Sequence, residues 1–288
     1  MAKVEAKTTR KPKKAKKPAM IVRLVQKWGW RPGRAMQEVL SWIETLVVAG
    51  ALAAVIMTFV TVRMHVPTGS MIPTIDPKDS FFVDRITYYF RSPKPGDIFV
   101  FRHGEVAIRE IEPGTPAAAA RMSAGVKLVY VNGTVIRTVE EADVRLASLP
   151  AGTLIRLEMA DGAGYSLDAK GAPSPSLASL GVIARNAPTR YVKRLIAVGG
   201  QTVQIRDGAI YVDGVKLTGP RFDRTYVSTG ARLQYGIEPT RVPEGKLFAL
   251  GDNSGNSFDS RYWGFVDKSA VIGVPYLRVW PISRFGPM

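Results

Sequence analysis

The sequence contains no cysteine, which excludes disulfides, thiol nucleophiles and every cysteine-built metal site. Histidine is almost as scarce, with only His65 and His103 in 288 residues, so a multi-histidine zinc centre is excluded as well. Acidic residues are outnumbered, 24 against 40 Lys and Arg, but the imbalance is local. Residues 1–34 hold twelve of those basic residues and one acid, Glu5, and the rest of the chain is only mildly basic. The same stretch has almost no core-forming residues in its Lys-, Pro- and Ala-rich part. Its Lys-, Pro- and Ala-rich run from Lys11 to Pro18 predicts a disordered, solvated tail suited to an anionic membrane surface, and no nucleic-acid partner is expected.

Charge is absent altogether from Thr45 to Val62, eighteen residues rich in Ala, Val, Leu, Ile, Met and Phe. At ~1.5 Å per residue a helix over this run measures ~27 Å, enough for one membrane span. Trp28, Trp30 and Trp42 precede it as interfacial anchors, and the basic residues hold its N-terminal side in the cytoplasm. A buried core helix and a cleavable signal segment, with Ala51, Ala53 and Ala54 as the small residues, are the alternatives. A span places residues 63–288 on the outer face.

The first motif after the span is Val66-Pro67-Thr68-Gly69-Ser70-Met71-Ile72-Pro73-Thr74. Two prolines and a glycine around Ser70 fix a tight, non-helical path that can hold one hydroxyl and its neighbouring amide in a set orientation, although a plain turn has the same composition. A serine nucleophile needs a base, and with histidine scarce a desolvated lysine is the candidate. In Arg190–Val198, read with the period of a strand, Lys193 shares a face with Tyr191, Leu195 and Ala197, while Arg190 and Arg194 fall on the other. A lysine whose stem packs while its amine reaches water fits that pattern too.

Four blocks in order, Ser70–Thr74, Pro95–Arg102, Tyr191–Arg194 and Gly251–Gly264, resemble the motif blocks of bacterial type I signal peptidases. The resemblance implies a mostly β, signal-peptidase-type fold behind one N-terminal transmembrane helix. It implies Ser70 as nucleophile, Lys193 as general base, Thr68 with the Ser70 amide as oxyanion donors, and Ser257 as the serine that orients the lysine. Asp259 and Arg261 match a supporting pair that would otherwise read as an ordinary surface ion pair. Val66, Pro67, Met71, Ile75, Tyr191 and Val192 match the walls of two shallow pockets for small-x-small substrates, where simple core packing is the alternative. Ser254 and Gly255 depart from the family block, in which an arginine often follows Gly-Asp-Asn. The implied protein is a cofactor-free, metal-free serine endopeptidase of the bacterial inner membrane, removing signal peptides from exported preproteins. A membrane-tethered scaffold on a dead protease fold and a regulatory protease with few substrates are the competing readings. Phe81, Phe82, Tyr88, Tyr89 and Phe90 read as lipid-facing, or as alternation within two strands.

Between the second and third blocks lies a long insert. Strands are expected over Val106–Ile111 and Lys127–Val131, a tight turn at Asn132-Gly133, a helix capped by Thr138 and Glu141 and ended by Leu149-Pro150-Ala151-Gly152, then strands over Thr153–Met159 and Tyr165–Leu167. Glu112–Ala118, Val129–Gly133 and the run from Leu149 resemble a small α+β PDZ domain of the bacterial protease type. That resemblance implies a peptide or protein ligand; an insert that only shields or positions the catalytic core is the alternative. Its glycine-bearing ligand loop is not evident near Arg102–Glu105, and Leu180-Gly181-Val182 has the look of one but follows the module. Pro173 to Ser179 reads as a linker, and Thr202–Ile205 and Ala209–Val212 as a hairpin through Asp207-Gly208. The expected divisions are a tail over 1–37, the span over 38–62, catalytic parts over 63–103 and 186–288, and the insert with its linker over 104–185.

Overall fold

The computed structural model describes residues 19–168, 174–228 and 232–288; the first eighteen residues of the expected tail lie outside them. After Val60 the chain divides into two compact units. In the first, helix α1 (Met20–Lys27) occupies a stretch expected to be disordered, and the Glu44 carboxylate accepts the Ile21 N–H at 2.7 Å, satisfying one orphan donor of its first turn. Helix α2 (Arg34–Val55) continues through a wider π turn over Ile56–Val60. Arg34–Val60 is long and apolar enough to cross a membrane. It starts four residues before the expected boundary because Pro32 and the extended Gly33 end the preceding segment there. It stops two residues early because the β-branched Thr61 and Val62 already belong to a strand.

The second unit is built on antiparallel strands. Strand β1 (Thr61–His65) pairs with β2 (Ser80–Asp84), Thr61 opposite Asp84. The Thr87–Phe90 segment does not extend as the aromatic alternation suggested. It is a short helix, α3, because the Asp84 carboxylate accepts the N–H groups of Ile86 and Thr87 and turns the chain. Strand β3 (Ile98–His103) then leads into the insert.

The insert comprises β4 (Val106–Ile111), α4 (Pro116–Ala119), β5 (Lys127–Val131), β6 (Thr134–Val135), α5 (Val139–Ala147), β7 (Ile155–Met159), β8 (Gly164–Leu167) and β9 (Val182–Asn186). Its sheet runs β8-β7-β5-β4-β9, with β6 beside β5. Asn132 and Gly133 both adopt positive φ in the β5–β6 turn, and Thr138 Oγ1 accepts the Glu141 N–H at 3.1 Å to start α5. Leu128, Leu146 and Leu157 form a core of its own. Leu177, in the stretch expected to be a linker, and Leu180 just after it are buried in that core, so both are packed parts of the module. The amides of Leu180, Gly181 and Val182 all donate within this turn, to Ser176, Ala178 and Leu177 carbonyls, which leaves them committed rather than presented to a peptide terminus. The ends of the insert meet where the Ala187 N–H donates to the Glu105 carbonyl at 2.8 Å.

Strand β10 (Thr189–Val198) is the hinge of the catalytic architecture. It is followed by β11 (Thr202–Arg206), β12 (Ala209–Val212), β13 (Val215–Lys216), β14 (Thr240–Arg241), β15 (Lys246–Leu250), α6 (Ser260–Trp263), β16 (Val266–Asp267), β17 (Val271–Trp280) and β18 (Gly286–Pro287). The main sheet runs β1-β2-β17-β3-β10-β15-β16, while β11 and β12, turning through Asp207 and Gly208, belong to a smaller sheet. The first half of β10 pairs with β3, Lys193 opposite Phe99; β15 joins on the other side only from Arg194 onward. Among the described residues, the edge of Thr189–Lys193 therefore carries no neighbouring strand.

Candidate active site

Ser70 follows β1 on a turn whose backbone is tied to a distant loop. The Asn253 amide N–H donates to the Ser70 carbonyl at 3.0 Å, and its side-chain Nδ2 donates to the Gly69 carbonyl at 3.0 Å. Lys193 lies 123 residues away in the chain, yet its Nζ is 2.7 Å from Ser70 Oγ, and both residues are buried. Nζ donates to Oγ when charged; in the neutral amine the bond reverses and Oγ–H donates to Nζ. Burial lowers the Lys193 pKa from 10.5 to about 8, opposed by the Asp259 carboxylate and aided by the Arg261 guanidinium. The Tyr191 ring, 5.6 Å from Nζ, flanks the amine.

The loop behind the pair is held by charge. Asp259 and Arg261 are both fully buried, with Nε to Oδ1 at 2.8 Å and Nη2 to Oδ2 at 2.9 Å, which corrects the surface reading of this pair. Arg261 also donates to Ser254 Oγ and to the Ser254 carbonyl at 2.7 Å each, and Asp259 accepts the Gly251 N–H at 3.0 Å. Ser254, a departure from the family block, is thus part of this clamp. Gly251 is required by space: a Cβ there would sit 2.5 Å from the Ser70 carbonyl and 2.1 Å from Ser257 Oγ. A second buried cluster joins Arg194 to Asp252 at 2.7 and 2.6 Å, with Thr74 donating to the same carboxylate.

Ser70 and Lys193 open onto a cleft of about 530 Å³. Residues 39–280 match the family model described as signal peptidase, peptidase S26. The chain belongs to that family. It is accordingly a serine endopeptidase of the signal-peptidase type. Signal peptidase I of Leptolyngbya laminosa is 25% identical over 88% of this chain and 86% of its own length. Signal peptidase I of Mycobacterium tuberculosis (strain CDC 1551 / Oshkosh) is 30% identical over 83% of this chain and 72% of its own. A solved signal peptidase I from Enterococcus faecalis V583 matches 30% of this chain and 82% of its own at 36% identity, with a TM-score of 0.25.

Of the residues singled out from sequence, Val66, Pro67, Thr68, Tyr191, Val192 and Ser257 line the cleft with the pair. Met71 and Ile75 are fully buried, in one apolar cluster with the cleft-lining Val66 and Val192 and with Phe81, Val83 and Val100. Ser257 Oγ is buried without a hydrogen-bond partner among the described residues, so it makes no bond to Lys193 in this structure. The aromatic segment divides, with Phe81 buried and Tyr89 and Phe90 exposed. No hydrogen bond joins either histidine to Ser70 among the described residues. His103 stacks on Tyr191 at 4.9 Å, and burial lowers its pKa to about 4, keeping it neutral.

Several contributors had no local signal. Asn253 sat within a recognised block, but its grip on the Ser70 backbone depends on a contact spanning most of the catalytic fold. Glu105 and Lys127, from the insert, line the same cleft. Glu105 accepts hydrogen bonds from Lys127 Nζ, Thr189 Oγ1 and Tyr191 OH, the last at 2.8 Å. Burial alone would raise its pKa, and these three bonds outweigh that, holding the carboxyl below its ordinary value.

Proposed function

We propose that this chain is a single-pass membrane protein whose Ser70 and Lys193 release signal peptides from exported preproteins, cutting after small-x-small sequences on the outer face of the bacterial inner membrane. The observation that carries the reading is the 2.7 Å approach of a buried lysine amine to a buried serine hydroxyl. Neutral Lys193 takes the Ser70 proton as Oγ attacks the scissile carbonyl, and the resulting ammonium gives that proton to the leaving amine. Water, activated by the same amine, then hydrolyses the acyl ester on Ser70. Negative charge on the tetrahedral oxygen falls to the Ser70 N–H and the Thr68 hydroxyl, groups whose individual loss typically costs ~100- to 1000-fold in turnover. An extended substrate adds as a strand on the unpaired edge of β10, opposite the Val66–Thr68 segment. The twelve basic residues on the N-terminal side of the uncharged run Thr45–Val62 keep the N-terminus cytoplasmic. The insert remains a separately cored module whose peptide-binding role, suggested by its likeness to PDZ domains, is open to the same binding assays as any such domain.

Because the pair acts as a unit, Ser70→Ala, Lys193→Ala and the double variant are expected to reduce preprotein cleavage to one shared residual level. Lys193→Arg is expected to fail equally, since guanidinium stays protonated near neutrality. Substantial cleavage by any of these, measured with purified protein and a preprotein carrying a mapped processing site, contradicts the assignment.

A further inference from the structure

We propose that Lys127, held by Glu105, forms a substrate subsite for an acceptor-bearing side chain, Asp, Glu, Asn or Gln, at the fifth residue before the cleaved bond. The proposal rests on the reading just given and adds a selectivity that the small-x-small pockets do not supply. Thr189, Tyr191 and Lys193 share one face of β10 and all line the cleft. At ~3.3 Å per residue, Thr189 lies ~13 Å along the strand from the reacting lysine, a distance of four substrate residues. Tyr191 and Val192, walls of the small pockets, stand between the two. The small residues precede the bond, so this direction along β10 carries the segment upstream of it. At its far end the wall is no longer made by the catalytic fold alone, because Lys127 reaches in from the insert.

Charge decides what this end accepts. Glu105 is largely buried, its side chain 11% exposed, and its carboxylate already accepts from Lys127, Thr189 and Tyr191. Lys127 is 42% exposed, and Glu105 takes one of its three N–H donors; the others have no partner among the described residues. Arg190 lines the same wall, so cationic groups outnumber the one saturated carboxylate. Glu105 acts as a positioning residue: it fixes the Lys127 amine and the Tyr191 ring in one bond network, and leaves free donors directed at the substrate.

The test measures kcat/KM for full-length enzyme in detergent on a substrate series sharing one small-x-small site. Asp, Ser or Lys is placed in turn at the fourth, fifth and sixth residues before the bond. The readout is the Asp-to-Lys ratio within each enzyme, which cancels any general loss of activity. Wild type is expected to prefer Asp about three- to tenfold at the fifth residue, carried in KM. Lys127→Glu is expected to invert the ratio, Lys127→Arg to keep it, and Glu105→Gln to widen it. If Lys127→Glu fails to unfold cooperatively on heating, the neutral Lys127→Met takes its place and is expected to bring the ratio near one. A ratio unchanged by Lys127→Glu, or by Lys127→Met in its place, overturns the subsite. Wild-type cleavage of the Ser substrate at the intended bond with no charge preference at any of the three positions also overturns it, while leaving the proposed function standing. Failure to cut the Ser substrate at that bond refutes the proposed function, and the subsite with it.

Discussion

The catalytic sheet and the insert both bury apolar cores, but among the described residues the catalytic fold adds buried ion pairs and the insert does not. Inside the insert, Leu128, Leu146, Leu157, Leu177 and Leu180 meet one another, and its elements start and stop on local signals. The catalytic fold, besides its own apolar clusters, buries Arg194, Asp252, Asp259 and Arg261, each at most 4% exposed. Apolar contact is forgiving of direction, whereas a bidentate guanidinium–carboxylate pair has one geometry. That difference matches the task. The Gly251–Arg261 loop must approach the Ser70 carbonyl at a distance that excludes even a Cβ, and the buried ion pairs hold it there. Stability is not the purpose of such pairs, since taking charges out of water costs several kcal/mol per ion.

The comparison breaks first, if it breaks, at Asp259. Asp259→Ala leaves the buried Arg261 uncompensated and is expected to cost ~3–5 kcal/mol, with loss of cleavage. Thermal unfolding and activity at low temperature check it, and a loss under ~1 kcal/mol with full activity contradicts the clamp. In the insert, Leu157→Ala removes a fully buried side chain from an apolar core and is expected to cost ~2–5 kcal/mol. Its signature is regional: amide exchange should quicken in β5, β7 and α5 while β10 and β15 stay protected. Equal quickening in both regions means that they unfold as one body, joined by contacts such as Arg137 Nη2 to the Trp263 carbonyl at 2.5 Å and Gln234 Nε2 to the Gly133 carbonyl at 2.8 Å. Those contacts, with Lys127 in the cleft, also imply that excising the insert changes the active site rather than merely shortening the chain.

How much of this was legible in the sequence follows the same divide. The turns at Asn132-Gly133 and Asp207-Gly208 and the Thr138 cap were visible because they are local, set by residues within a few positions of one another. The Ser70 and Lys193 positions were visible through motif blocks and strand alternation. Burial of Asp259 and Arg261 was not, because short-range sequence shows a charged pair in a loop but not the strands that close over it. The burial of Met71 and Ile75 was not legible either, because motif spacing does not reveal which side chains after Ser70 turn inward. Leu177 was hidden among Pro and Ser in a stretch that looks like a linker. Glu105 and Lys127 are 22 residues apart, and nothing in either neighbourhood points to the other.

The central claim is that burial beside Ser70 lowers the basicity of Lys193 until its amine is neutral often enough to take the serine proton. Its folded pKa is depressed, from 10.5 to about 8, so the unfolded chain binds more protons between those values and stability contributed by this group rises with pH across that window. Catalysis has the same sign, because only the neutral amine can accept the serine proton. The most direct measurement is kcat/KM against pH for wild type on one preprotein, which reports the free enzyme's essential base. The expected acid limb has its midpoint near the lowered value of about 8, with the rate rising through it. An acid limb at the ordinary lysine value of 10.5, or a flat profile across that whole range, contradicts the account.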